Sequence, residues 1–558
     1  MEDKRTLLAF LAIGLILLGL PYYYDWMGMG RPQRTPARPA PAADQVAPAA
    51  AQPAPMGHQE EAQAGPASAP PSAPAIAEQV ATAPPREIVV RTLMQEVVFS
   101  TTGGAITSCR LPAYRLVSGG AVELVPEGAL GLVVALEGLS HTESLAETVF
   151  QASVDSLVVA AGSEGVLRLA AELGQGRRVE KVLTFRGDQY GFDLEVRYAG
   201  LDGDTQVLVG WQGGIAPTER QPSIDVGEAR ALAYFNGSLN TVRAKSAGKT
   251  ESWSDKGPLQ WAGVRSKYFL VALAPRGEER QSVALEGVGA AKDQMPTYSL
   301  QVGAEATAEG RWRALVYAGP LNYQTLSAQG ASLEQAIDFG WPVVRQISQL
   351  LLIVFRAAYA YIPNYGWIIV VFAVAIKVLV YPLTHKTYES TTRMQELQPK
   401  IAALRERFKS DPQRLSRETM KLYKEQGVNP LGGCLPLVLQ MPIFFALYNL
   451  FGRTIELRQA PFVLWIDDLS VPDQVLVGGL SVHVLPLLMA VSMLVQQKMT
   501  MKDPKQAFMV YLMPVVMTFI FWNMTSGLVL YWTVFNVLTI GQQLLVEYVR
   551  RSRPAAAN

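Results

Sequence analysis

A lysine inside an apolar run is the residue in this chain with the most chemistry to explain. Lys377 lies within Val374-Ala375-Ile376-Lys377-Val378-Leu379, about 12 Å of helix rise from His385 at ~1.5 Å per residue. At such depth a lysine costs roughly 2.5 to 3.5 kcal/mol on insertion scales, so it faces a partner or water unless its stem snorkels to a surface. Five apolar segments in the last third of the chain, 366–384, 431–451, 476–496, 507–522 and 526–546, contain no Asp or Glu. A salt bridge within them is therefore not open to Lys377. Gln440, Asn536, Thr539 and Gln542 are polar residues in the same segments. Each alone suits an interhelical hydrogen bond. Together with an unpaired cation they favour a hydrated, positively charged groove.

Other chemistries find no support. Cys109 and Cys434 lie far apart, and His58, His141, His385 and His483 lack metal-ligand spacing such as HExxH. No GxxxxGK[ST] loop and no nucleophile–base set is present, so neither ATP hydrolysis nor enzymatic catalysis is indicated, and no cofactor or metal is expected. The 49 Lys+Arg against 48 Asp+Glu leave a net charge of +1, which excludes a global pull toward nucleic acid and any expected sequence-specific binding to it. Hydrophobic residues make up 49% and charged residues only 17%, a shortage of charge that points to a membrane protein with a large water-soluble part.

The elements that position these residues follow from pattern. Lys4-Arg5, the apolar run Leu7 to Leu20 and the aromatics after Pro21 read as an uncleaved membrane anchor over 1–25 rather than a removed signal. Residues 26–86 are an Ala/Pro-rich linker, too poor in large apolar side chains to order. From 87 to 333, period-two runs such as Phe192-Asp193-Leu194-Glu195-Val196-Arg197-Tyr198 predict a large all-β sandwich. Asn236-Gly237-Ser238 reads as a polar turn in it. Over 334–365 the residues Val343, Val344, Ile347, Leu350, Leu351, Val354 and Phe355 recur at helical spacing, as in an amphipathic helix lying in the membrane interface.

A helix needs roughly 20 apolar residues to cross the hydrocarbon core, so the five segments are expected to be membrane-spanning, and the last two form a hairpin. Between 385 and 429 ten cations face six acids. The loop 452–475 is acidic, 497–506 is basic, and the tail 547–558 carries Arg550, Arg551 and Arg553. The positive-inside rule then puts the basic loops and both termini in the cytoplasm and the β-domain outside. Within 385–429, Met394, Leu397, Ile401, Leu404 and Phe408 form one helical stripe, and Leu415, Leu422 and Tyr423 a facing one, which predicts an antiparallel helical hairpin.

Several long motifs are distinctive. Tyr381-Pro382-Leu383-Thr384, Leu397-Gln398-Pro399-Lys400-Ile401, Asn429-Pro430-Leu431-Gly432-Gly433-Cys434, Gln440-Met441-Pro442-Ile443-Phe444, the run Ala460 to Leu469, and Ser526-Gly527-Leu528-Val529-Leu530-Tyr531-Trp532 resemble the bacterial YidC family of membrane protein insertases. That family belongs to the YidC/Oxa/Alb superfamily. The resemblance is dense over 335–550, and the added anchor, linker and β-domain are similar to its Gram-negative form. It implies an α-helical five-helix transmembrane insertase core under a periplasmic β-sandwich, in the bacterial inner membrane. It also implies insertion and folding of newly made membrane proteins, alone or with the Sec translocon. Lys377 stands where relatives usually carry Arg, keeping the charge without the bidentate fork. Ala373 stands where some carry Thr.

The resemblance further implies that Lys377, Gln440, Asn536, Tyr531 and Trp532 line the substrate groove, with Tyr531 and Trp532 where a substrate helix slides. The hairpin cations Arg393, Lys400, Arg405 and Arg407 would contact the nascent chain or ribosome; the short basic tail is not expected to bind ribosomes. The implied partners are nascent membrane proteins, the Sec translocon, the ribosome and the phospholipid bilayer. A secondary transporter, an intramembrane enzyme and a purely structural scaffold are the competing classes. The lack of intramembrane acids argues against the first, and the lack of a catalytic set against the second.

Overall fold

Alternating apolar and polar residues build the first large unit, and continuous apolar runs build the second. The computed structural model describes residues 85–558 apart from 140, 245, 278–279, 292–293, 307–308, 428–434, 501–506 and 553–558. The expected anchor, nearly all of the linker, and the motif at 429–434 lie outside the described residues.

The β-domain consists of an eleven-stranded and a nine-stranded sheet. Its pairing is antiparallel except where Glu87–Arg91 runs parallel to Ser156–Val158. Strand Glu164–Gly174 buries Leu167, Leu169 and Ala171 and exposes the residues between, as period two requires. Gly191–Ala199 pairs with Glu309–Pro320, setting Leu194 opposite Ala314. The two sheets meet through aromatics: Phe99 of one stands edge-on to Phe185 of the other at 6.2 Å, and Phe185 stacks on Phe192 at 4.5 Å. Gly131 is required by close approach, because a Cβ there would lie 2.3 Å from the Trp211 ring.

Lys181 crosses this core. Its Nζ donates to the carbonyls of Gly103, Gly104 and Leu132 at 2.8, 2.9 and 2.8 Å and lies 5.0 Å from the Phe150 ring centroid. A lysine in a sandwich interior is tolerable because three carbonyls match an ammonium's three hydrogens.

The helices, in chain order, are α1 (Pro222–Glu228), α2 (Tyr323–Gln329), α3 (Pro342–Tyr359), α4 (Tyr365–Leu379), α5 (Tyr381–Glu396), α6 (Gln398–Arg407), α7 (Pro412–Glu425), α8 (Leu435–Arg453), α9 (Val484–Thr500), α10 (Ala507–Phe521) and α11 (Ser526–Ser552). Asn364 caps α4 by accepting from the Trp367 amide, and Asp411 caps α7 by accepting from that of Arg414. Helix α11 packs on α4, α8 and α9, while α3 packs on α8.

Several boundaries differ from the expected ones. The interfacial segment 334–365 divides into a 3-10 turn, Leu333–Ala336, and α3. Val344, Leu351 and Phe355 face inward, whereas Val343, Leu350 and Val354 are exposed, so the apolar arc of this amphipathic helix is wider than the part that packs against the protein. The segment 366–384 ends as a helix at Leu379, because Pro382 has no N–H to continue the ladder and instead occupies the first turn of α5. The first residues of 476–496 form a β-hairpin, Val475–Val477 with Leu480–Val482, and α9 begins only at Val484. Gly478 and Gly479 have φ of 59° and 86° there, the left-handed pair a two-residue hairpin turn demands. Helix α11 runs beyond 546 to Ser552. The loop 385–429 contains parts of three helices, not two, since Pro399 restarts the chain after Leu397. Leu397 and Ile401 pack with Met394, Leu422 and Tyr423. Phe408 instead lies between the guanidiniums of Arg407 and Arg414, at 5.6 and 5.0 Å.

The sandwich is tied to the helices by buried charge. Arg458 donates through Nε to Glu219 at 2.7 Å and through its two Nη atoms to the carbonyls of Arg115 and Thr218, each at 3.0 Å. Ser526 and Gly527, opening α11, donate their amides to Val471 and Leu469 at 2.8 and 2.9 Å. Lys267 of the sandwich donates to the carbonyl of Ser470, between them, at 3.2 Å.

Burial pushes the Lys181 ammonium from 10.5 down to about 7. Between those values the unfolded chain holds that proton more tightly than the folded one, so stability rises with pH across the window. Lys181→Met is expected to flatten that rise when thermal unfolding of the full chain in detergent is followed between pH ~7 and ~10. An equal slope in the variant would assign the rise to other groups.

Candidate functional site

One helix carries most of the site. Projected at 100° per residue, Tyr531, Trp532, Phe535, Asn536, Thr539 and Gln543 of α11 fall within an arc of about 140°. Each of three neighbouring helices meets that arc with polar atoms. From α4, Lys377 Nζ donates to Thr539 Oγ1 at 2.8 Å and lies 4.7 Å from the Phe535 ring centroid. From α8, Gln440 Nε2 donates to the Tyr531 hydroxyl at 3.4 Å. Toward α9, Asn536 Nδ2 donates to Ser492 Oγ at 3.3 Å and Gln543 Nε2 to Thr500 Oγ1 at 3.2 Å.

Lys377 is 8% exposed and has no carboxylate within 4 Å among the described residues. Thr539 can accept from it because its own hydroxyl proton is directed to the Phe535 carbonyl at 2.7 Å. One hydroxyl and one ring face satisfy an ammonium only in part; two of its three hydrogens remain for water or an anionic group. Ala373, one turn earlier, is fully buried and offers no side-chain acceptor.

Lys377, Gln440, Asn536 and Tyr531 are thus brought onto one seam. Tyr531 is fully buried, however, against Phe372 at 6.1 Å and Phe535 at 5.9 Å. Its ring packs and its hydroxyl accepts from Gln440 within the bundle. Trp532 is half-buried, edge-on to Phe444 at 5.3 Å and near Phe521 at 5.6 Å. The cations Arg393, Lys400, Arg405 and Arg407 lie apart from the seam on α5 and α6; all are exposed except Arg405, which is half-buried. Sequence reasoning singled out Gln542, but Gln543 is the buried glutamine. Its spacing of seven from Asn536, two helical turns on the same face, was the available signal. Ser492 and Thr500 were also missed, since single hydroxyls in apolar helices are common.

A large β-sandwich joined to a helical bundle with polar residues along its interior defines a multidomain membrane protein. Among the described residues one helix, Ser526–Val549, is long and apolar enough to cross a bilayer, and Tyr365–Leu379, Val484–Thr500 and Val510–Phe521 are shorter apolar helices. The family profile described as 60Kd inner membrane protein matches residues 357–553, and that described as YidC periplasmic domain matches residues 87–354. The membrane protein insertase YidC of Pelobacter propionicus is 36% identical, covering 98% of this chain and 99% of the relative. That of Geobacter metallireducens is also 36% identical, covering 99% of each. A crystal structure of an active YidC insertase with its first transmembrane domain resolved aligns with a TM-score of 0.36 at 19% identity, covering 83% of this chain and 92% of the other. The chain belongs to the YidC family of membrane protein insertases, proteins of the inner membrane. The family is one of membrane protein insertion and not a family of enzymes.

A partly satisfied buried cation costs stability even where it serves function. Lys377→Met is therefore expected to leave the thermal midpoint unchanged or raised. Thr539→Val, which strips the cation of its hydroxyl acceptor, is expected to cost ~1–3 kcal/mol. Differential scanning calorimetry in detergent reads both, and a midpoint well below wild type for Lys377→Met would show the lysine to be a net stabiliser.

Proposed function

We propose that this protein inserts and folds newly made membrane proteins by giving their polar segments a short, cationic passage through the bilayer, without ATP hydrolysis. The observation that carries this reading is Lys377: a buried ammonium with a single hydroxyl partner among the described residues, on a seam of polar side chains between apolar helices. Such a charge attracts acidic segments, and water reaching it shortens the apolar distance that a hydrophilic tail must cross. Helix length acts in the same direction. The 15 residues of α4 and the 17 of α9 span only ~22 and ~25 Å at 1.5 Å each, against a hydrocarbon core of ~30 Å. The substrate's own apolar helix supplies the driving force, about 25 cal/mol for each Å² removed from water.

In this reading Gln440 and Asn536 line the groove beside Lys377, while Trp532 borders it at the lipid side. The hairpin of α5, α6 and α7 stands in the cytoplasm, where exposed Arg393, Lys400 and Arg407, with Arg405, meet the nascent chain or the ribosome. Both termini are cytoplasmic and the sandwich is periplasmic. The Sec translocon is a partner for larger substrates. Loop charge supports that orientation: the cations of 385–429 outnumber its acids ten to six.

The test is reconstitution of the purified full chain in liposomes, with protease protection of a small single-span protein bearing an acidic exported tail. Lys377→Ala is expected to lower insertion about tenfold, equivalent to ~1.4 kcal/mol, and Lys377→Arg to retain it. Undiminished insertion by Lys377→Ala would remove the groove charge from the mechanism. A scaffold that only binds partners would insert nothing in this assay.

A further inference from the structure

A second site lies where the sandwich meets the helices. A cavity of about 370 Å³ there is lined by Glu228 and Lys267 of the sandwich, by Gly452 and Arg453 of α8, the latter held by Asp338 at 2.7 Å, and by Ile520 and Thr525 around the α10–α11 turn. Lys267 is buried, and among the described residues its Nζ has one hydrogen-bond acceptor, the Ser470 carbonyl at 3.2 Å, besides the Tyr268 ring at 4.7 Å. The Thr525 hydroxyl is buried with no hydrogen-bond partner among the described residues. Glu228 receives Arg230 at 2.6 Å and Arg265 at 3.4 Å on Oε2, but its Oε1 has only Arg453 at 3.9 Å, too far for a hydrogen bond. The cavity therefore offers an ammonium and a hydroxyl in need of acceptors, and a carboxylate oxygen that is ion-paired with Arg453 yet accepts no hydrogen bond among the described residues.

The surrounding charges are already paired. Glu219 is held by Arg458, Asp225 by the Thr218 and Glu219 amides, Asp468 by Ser470, and Asp338 by Arg453. A ligand carrying net charge would leave that charge uncompensated, whereas a zwitterion adds none. Beside Ile520, α10 presents exposed Phe519, Val515 and Val516, a surface that suits acyl chains.

We propose that this cavity binds the head group of a zwitterionic phospholipid carrying a primary amine. Its phosphate accepts from Lys267 and Thr525, its ammonium donates to Oε1 of Glu228, and its acyl chains run along Ile520 and Phe519. The site rests on the bundle lying in lipid, as proposed above, and not on the role of Lys377.

The experiment uses the full chain, stripped of lipid in detergent. Binding of short-chain phosphatidylethanolamine is compared with phosphatidylcholine, phosphatidylglycerol and soluble phosphoethanolamine by native mass spectrometry and calorimetry. Phosphatidylethanolamine is expected to bind about tenfold tighter than the others, and Gly452→Phe and Thr525→Val to weaken it by about the same factor. A Cβ at Gly452 meets no atom within 4 Å, so a larger side chain there has room to enter the cavity. Should that variant not fold, Thr525→Val carries the test alone. Unweakened binding in the folded variants would overturn the site, equal binding of phosphatidylcholine would overturn the role of Glu228, and equal binding of phosphoethanolamine would overturn the lipid. Lipid binding that survives in Lys377→Ala while insertion falls, or the reverse, separates this proposal from the insertion mechanism.

Discussion

Helix α11 must be apolar enough for lipid and still find partners for most of the polar side chains it carries, and the bundle is arranged around that requirement. With no water in the hydrocarbon region, an unmet hydroxyl or amide costs free energy that packing alone does not recover. Confining Tyr531, Asn536, Thr539 and Gln543 to one arc lets α4, α8 and α9 each supply a complementary atom. These pairs also set the axial position of each helix against α11, since a shift of one residue would move each polar atom ~1.5 Å along and 100° around. Lys377 is the member whose needs are least fully met.

The sandwich is fastened to the end of the bundle from which α11 starts. Arg458 replaces its hydration with one carboxylate and two carbonyls from the sandwich. Burial pushes the Glu219 carboxyl upward despite this partner, and against the same upward push Arg265, Arg453 and Arg230 hold Glu228 below its ordinary value. Because Lys267 and the first amides of α11 share the strand of backbone at 469–471, the helix carrying the seam and the β-domain have a common anchorage. A displacement of one is felt by the other through hydrogen bonds and not through a flexible tether.

Much of this was legible before any coordinates. Period-two alternation over residues such as Leu167, Leu169 and Ala171 announced the sandwich, and the stripe Met394, Leu397 and Ile401 announced the packed face of the hairpin. The isolated cation in an acid-free apolar segment marked the seam. What misled was local chemistry with two outcomes. Apolar Val475 to Val482 suits a helix or a strand, and the adjacent glycines decided for a hairpin. Leu350 and Val354 share the apolar arc of α3 with Leu351 and Phe355, yet they face outward because α8 covers only part of that helix. Tyr531 and Trp532 are adjacent in sequence, yet 100° of rotation separates them, so Tyr531 is fully buried and Trp532 half-buried.

By itself the sequence determined the sandwich strands and most of the apolar helices, that the chain belongs in a membrane, and that Lys377 has no carboxylate within its own segments. Those properties are local: periodicity, composition and spacing along one stretch of chain carry them. Only the tertiary structure decided that Thr539 is the hydroxyl Lys377 finds, that Gln543 is buried in place of Gln542, and that Glu219, Lys267 and Arg458, distant in sequence, join two domains. Partners between 162 and 240 residues apart leave no mark in any window of sequence. Their meeting depends on how whole helices and sheets rotate and slide until buried polar atoms are paired.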